Sequence, residues 1–90
     1  MGDTTVLIVD DESRMRKLIK DFLMQKGYSI LEAADGEEAL NVFEENKNKI
    51  NLILLYVMMP KIDGLSVIRQ IRLTSKVPII MLTARGEEQD

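Results

Sequence analysis

Four short apolar runs recur along the chain, Thr5 to Asp10, Tyr28 to Ala33, Asn51 to Val57 and Pro78 to Thr83, and between them apolar residues return at helical spacing. This alternation restricts the fold more than any other feature. The first run is continuously apolar and rich in β-branched residues, without the every-second-residue polarity of a half-exposed strand. Such a run suits a strand covered on both faces in a parallel sheet. Next, Met15, Leu18, Ile19, Phe22 and Leu23 fall at i, i+3, i+4, i+7 and i+8, which predicts an amphipathic helix over Ser13 to Lys26 with these five turned inward. Arg14, Arg16, Lys17, Lys20 and Asp21 occupy its other side, and Gly27 is a natural stop.

The second helix opens at Asp35-Gly36-Glu37-Glu38, where an aspartate cap is answered by a glutamate three residues on. Ala39, Leu40 and Phe43 form its inner face, which gives way to the polar stretch Glu44 to Lys49. Past the third strand, Pro60 ends pairing, and Lys61 to Gly64 reads as a turn whose Asp63 caps a third helix lined by Leu65, Ile68 and Ile71. Ala84 to Asp90 reads as the first turn of a helix that does not develop. The order β-α-β-α-β-α-β predicts one α/β domain over residues 1–90, with a parallel sheet, right-handed crossovers and helices on both faces. In such folds ligands bind beyond the carboxyl ends of the strands, where the strand order switches. That singles out Asp10, Asp11 and Glu12, then Tyr56, Val57 and Met58, then Thr83 and Ala84.

Composition narrows the chemistry. The 90 residues include no Cys and no His, so thiol catalysis, Cys-ligated zinc, the Ser-His-Asp triad and imidazole metal sites are excluded for this chain. With 12 Lys and Arg against 15 Asp and Glu, the net charge of -3 favours no direct contact with nucleic acid. No uncharged apolar run approaches the ~18 residues of a membrane span, and the N-terminus lacks the basic start of a secretory signal, so a cytoplasmic location is expected. Chemistry must rest on carboxylates, hydroxyls, Lys, Arg or a hard cation. Asp10-Asp11-Glu12 admits two readings: capping of the following helix, or oxygen ligands for Mg²⁺, which is held by one or two carboxylates plus water and phosphate.

Leu7-Ile8-Val9-Asp10-Asp11-Glu12, Gly27-Tyr28, Ala34-Asp35-Gly36-Glu37-Glu38-Ala39-Leu40, Val57-Met58-Met59-Pro60 with Asp63-Gly64, and Val77-Pro78-Ile79-Ile80-Met81-Leu82-Thr83-Ala84 together resemble the receiver domain of bacterial two-component response regulators. The blocks run in order from about Val6 to the end, and the Met58-Met59-Pro60 and Thr83 to Glu88 segments look most like regulators with a C-terminal DNA-binding domain. The resemblance implies a receiver or flavodoxin-like fold. It implies that Asp10 and Asp11 organise Mg²⁺, with Asp11 as the more direct ligand, that the backbone carbonyl of Met58 completes the metal shell, and that the Thr83 hydroxyl senses the phosphoryl group. It implies a sensor histidine kinase as partner, docking around the first helix, with Arg14, Arg16, Lys17 and Lys20 as candidate contacts. A solvated helix face explains those four equally well.

Two departures shape the expectation. Where the family has the phosphoacceptor aspartate, this chain has Tyr56. A phenol, ordinarily titrating at about pH 10, offers neither negative charge nor bidentate oxygens at neutral pH. Mg²⁺ binding is therefore expected to be weak or absent, and no acyl phosphate is expected to form. The family's fifth strand, its terminal Lys and the last two helices also have no counterpart here, so the chain reads as a truncated receiver. Its fourth strand then becomes an uncharged edge, with apolar surface of several hundred Å² on the order that marks interfaces. A second copy covering that edge is expected. The overall expectation is a non-enzymatic signalling module acting through protein binding. The alternatives are a folding or assembly fragment without independent activity, or a Mg²⁺-dependent phosphatase using Asp10 as nucleophile. The phosphatase would need an Asp where Glu12 stands.

Overall fold

In the computed structural model, residues 4–57 and 64–83 are described, with the backbone alone for Val57 and Thr83. The elements follow the expected alternation: β1 (Thr5–Val9), α1 (Ser13–Gln25), β2 (Ser29–Ala33), α2 (Gly36–Glu45), β3 (Ile50–Val57), α3 (Gly64–Arg72) and β4 (Ile79–Thr83). All strand pairs are parallel and the sheet order is β2-β1-β3-β4. The order reverses between β1 and β3, so the switch point lies beyond Val9 and Val57.

Side chains alternate across a strand, and the two faces of this sheet differ accordingly. Leu7, Val9, Ala33, Ile53 and Leu55 join Ala39 and Phe43 of α2 and Val67 and Ile71 of α3 in one buried cluster. Phe43 is the largest side chain in it, and burying a ring of that size contributes about 1.5–3 kcal/mol. α2 and α3 approach closely enough that a Cβ on Gly36 would sit 3.0 Å from Val67 Cγ2. Val6 and Ile8 have the opposite parity and are also buried. On their face Arg16 and Lys20 of α1 meet Glu32 of β2.

Helix signals are borne out at the ends that the sequence marked. Asp35 Oδ1 accepts from the Glu38 backbone N–H at 2.8 Å, and Glu38 Oε1 accepts in return from the Ala34 N–H at 2.8 Å. Gly27, at φ +96°, closes α1 in the left-handed region that suits glycine. The inward stripes need correction. Of the five α1 residues, Met15, Ile19 and Leu23 are half-buried, whereas Leu18 and Phe22 are 65% and 58% exposed. On α3 the buried pair is Val67 and Ile71, with Ile68 half-buried and Leu65 turned to solvent. In both helices the spacing identified an apolar side wider than the surface available to bury it. Pro60, Asp63 and the stretch from Ala84 to Asp90 lie outside the described residues.

Candidate functional site

Asp10 follows directly after β1, and its backbone N–H donates to Ala33 O at 3.1 Å, which extends the β1–β2 pairing by one residue. Its side chain is fully buried, and it is the buried charged residue among those described. Oδ1 accepts from the Glu12 backbone N–H at 2.9 Å, an Asx-type turn that shapes the loop into α1. Oδ2 has no hydrogen-bond partner among the described residues. Burial pushes the Asp10 carboxyl above the usual carboxylate range, and Asp11 and Glu12 push it the same way; the Glu12 N–H and Arg16 pull against them.

The acids do not serve as a side-chain cap for α1. Glu12 stands at the N-cap position without a side-chain cap bond, and no acid occupies the first turn. A buried carboxylate oxygen left without a donor is expensive unless a cation takes it. The orphaned Oδ2, with Asp11 beside it, therefore fits a hard cation such as Mg²⁺, whose shell is mostly water. Among the described residues no three carboxylates converge. On β3, Leu55 is in register with Val9, so Tyr56 follows Leu55 as Asp10 follows Val9. A half-buried phenol stands where a further carboxylate would complete the set.

Thr83 ends β4 in register with Val57. Its hydroxyl, and Met58 with its carbonyl, lie outside the described part of the structure. Asp10 and Asp11, just past β1, and Tyr56, near the end of β3, thus lie along the same carboxyl edge of the sheet. A family model for the response regulator receiver domain matches residues 6–90. The chain belongs to the response regulator receiver family.

Curated relatives of this receiver domain include a probable transcriptional regulator, ycf27, of Guillardia theta, 49% identical over 85 residues that span 94% of this chain and 33% of the relative. The chain spans about a third of the length of the curated relatives it matches. Among solved structures, it is similar to the response regulator TrrA of Thermotoga maritima in complex with Mg²⁺ and BeF, at 40% identity and TM-score 0.82, over 96% of this chain and 74% of that one. A second structure, of histidine kinase ThkA in complex with TrrA, matches at 40% identity and TM-score 0.81, over 97% and 74%.

One functional contact escaped the sequence reading. The helical spacing places Arg16 with Arg14, Lys17, Lys20 and Asp21 on the polar side of α1. In this receiver domain Arg16 Nη1 donates to Asp10 O at 2.6 Å and Arg16 Nε to Glu32 Oε1 at 3.1 Å. Lys20 Nζ lies 3.1 Å from Glu32 Oε2. Hydrogen bonding to Lys20 is the main cause holding the Glu32 carboxyl below the usual range, with Arg16 adding to it against the cost of burial. Only Arg14 and Lys17 of the four cations point outward, and Lys17 pairs with Asp21 at 3.1 Å. The overlooked signal was Glu32 itself, an acid within a mostly apolar strand, which needs partners to be half-buried.

Proposed function

We propose that this receiver domain acts in a two-component pathway as a non-enzymatic binding module, addressed by a sensor histidine kinase, that does not take up the phosphoryl group itself. The observation carrying this is Tyr56 at the carboxyl end of β3, directly after Leu55, which is in register with Val9, the residue before Asp10. Phosphoryl transfer to a receiver needs a carboxylate nucleophile whose charge also helps hold the metal. A neutral phenol performs neither task, and its oxygen stands farther from the backbone than a carboxylate's would. When bound, Mg²⁺ would supply positive charge to phosphoryl oxygens, with Asp10 and Asp11 as its protein ligands. Loss of a carboxylate at position 56 makes that binding weak. The kinase partner is supported by the likeness to TrrA, which has been captured with a histidine kinase. Net charge of -3 supports protein partners for this chain rather than nucleic acid.

The test is incubation with acetyl phosphate and Mg²⁺ followed by intact mass measurement. No phosphoryl adduct is expected on the native chain, and an acid-stable, base-labile adduct is expected on Tyr56→Asp. An adduct on the native chain would refute the proposal.

A second copy on the β4 edge is the partner that the surface favours. Ile80, Met81 and Leu82 of this uncharged edge strand are exposed, Ile80 at 47%. Long apolar edges tend to pair with other chains. Light scattering at micromolar concentration should show a dimer that Ile80→Lys dissolves, and a native monomer would remove this reading.

A further inference from the structure

We infer that Arg16 is a positioning residue for the cation cradle at the carboxyl edge, holding Asp10 in the conformation that leaves Oδ2 available. This rests on the reading of that edge as a cation site. Asp10 is held at three places. Its N–H donates to Ala33 O at 3.1 Å, its carbonyl accepts from Arg16 Nη1 at 2.6 Å, and its Oδ1 accepts from the Glu12 N–H at 2.9 Å. With both backbone polar groups and one carboxylate oxygen engaged, the remaining oxygen has little freedom to find a donor elsewhere. It stays buried and unpartnered.

The guanidinium is itself fixed from the far side. Glu32 engages Arg16 through Oε1 and Lys20 through Oε2, so both its oxygens are committed. Glu32 sits on β2 in register with Ile8 of β1, two residues before Asp10. A planar guanidinium can bridge a carbonyl and a carboxylate simultaneously, which a single ammonium cannot do in the same geometry. Arg16 therefore links α1, the β1 tip and β2 into one rigid frame. Its charge works against that role: a cation close to a metal site repels the metal. Position and charge thus have opposite signs for metal affinity, and the sign separates them experimentally.

Mn²⁺ serves as the probe, read by electron paramagnetic resonance of the free ion, with urea unfolding in parallel. The background is Tyr56→Asp, whose restored carboxylate should give measurable binding; the native chain is compared alongside. If Tyr56→Asp binds no Mn²⁺ up to millimolar levels, the cradle reading itself fails and takes this inference with it. Given binding, Arg16→Met is expected to weaken it about tenfold or more, the usual loss when an outer partner of a metal ligand is removed. Arg16→Lys keeps the charge but not the bridge and is expected to recover only part. If Arg16→Met binds Mn²⁺ more tightly than its parent, Arg16 acts as a charge alone, and either that result or an unchanged affinity overturns the inference. Should Arg16→Met fail to fold, Glu32→Gln replaces it. That change keeps the Arg16 charge while weakening its anchor, and an unaltered affinity there overturns the inference equally.

Discussion

Replacing Asp10 by Asn should stabilise the fold while abolishing its affinity for divalent cations. The carboxylate is wholly buried, one oxygen has no donor, and Asp11 and Glu12 add like charge beside it. A buried polar group without a partner costs about 1–3 kcal/mol, more when charged. Asn keeps the acceptor that receives the Glu12 N–H and removes the charge, but leaves its own amide hydrogens unpartnered, which returns part of the gain. The net is about 1 kcal/mol at pH 7, or roughly 4–8 °C in Tm for a domain of this size. The pH dependence identifies the cause. Because burial raises the folded-state pKa of Asp10 above its ordinary 3.8, the native protein carries the full penalty above that raised value. The penalty fades as pH falls through it and is absent below 3.8. Urea titrations of both proteins from neutral to acidic pH should show a gap that is widest near neutrality and narrows on acidification. Added Mg²⁺ should stabilise the native chain and leave Asp10→Asn unmoved. An Asp10→Asn protein no more stable than its parent at pH 7, or a gap of constant size at every pH, would refute the argument.

The other expectations concern the frame around that site. Glu32→Gln should cost roughly 1 kcal/mol at pH 7, given two partly exposed ion pairs, with the opposite pH trend to Asp10. The Glu32 pKa is lowered from 4.5, so its contribution is present above that value and lost as pH falls through the lower folded one, which paired urea titrations will show. Phe43→Ala should cost about 3–5 kcal/mol by the same assay, since the ring is the largest buried side chain of the α2–α3 core. Asp35→Ala removes the cap of α2 and should cost about 1 kcal/mol. Gly36→Ala should destabilise rather than stabilise despite its helical position, because the added methyl would meet Val67 Cγ2 at 3.0 Å; a rise in Tm would contradict this.

Much of the fold was legible because the local signals agreed with one another. Continuous aliphatic runs, a left-handed glycine at Gly27 and the Asp35–Glu38 exchange each mark an element end by its own chemistry. Parallel pairing followed from alternation alone. The inner faces of α1 and α3 were less legible. Leu18, Phe22 and Leu65 continue a helical apolar period, yet periodicity states which residues share a side and not how much sheet lies beneath it. α1 rests on β1 and β2. Its remaining apolar flank, with Ile80 and Leu82 of β4, is left open by the described residues. At the carboxyl edge, the backbone positions of Asp10, Asp11 and Tyr56 were legible because each follows or lies near the end of a strand that the apolar runs had marked. The role of Arg16 was not, because its partners are a main-chain carbonyl and an acid on another strand, and neither leaves a mark at helical spacing.

The same residues explain why a cradle of this kind is costly to keep without its charge balance. Asp10 is buried with an orphaned oxygen beside two further acids, an arrangement that a cation relieves at neutral pH and protonation relieves in acid. With a carboxylate at position 56, cation affinity would rise and the relief would be larger. On the proposed reading Tyr56 lowers the incentive to bind, while the repulsion that Asp11 and Glu12 exert on Asp10 persists, since position 56 is not among its sources. Arg16 offsets part of that repulsion through its charge and fixes the loop through its hydrogen bonds. The frame around Asp10 can therefore persist without a metal, held by Glu32 of β2 between Arg16 and Lys20 of α1, and this is why changes at Arg16 and at Tyr56 should act on metal affinity through different causes, one by geometry and one by charge.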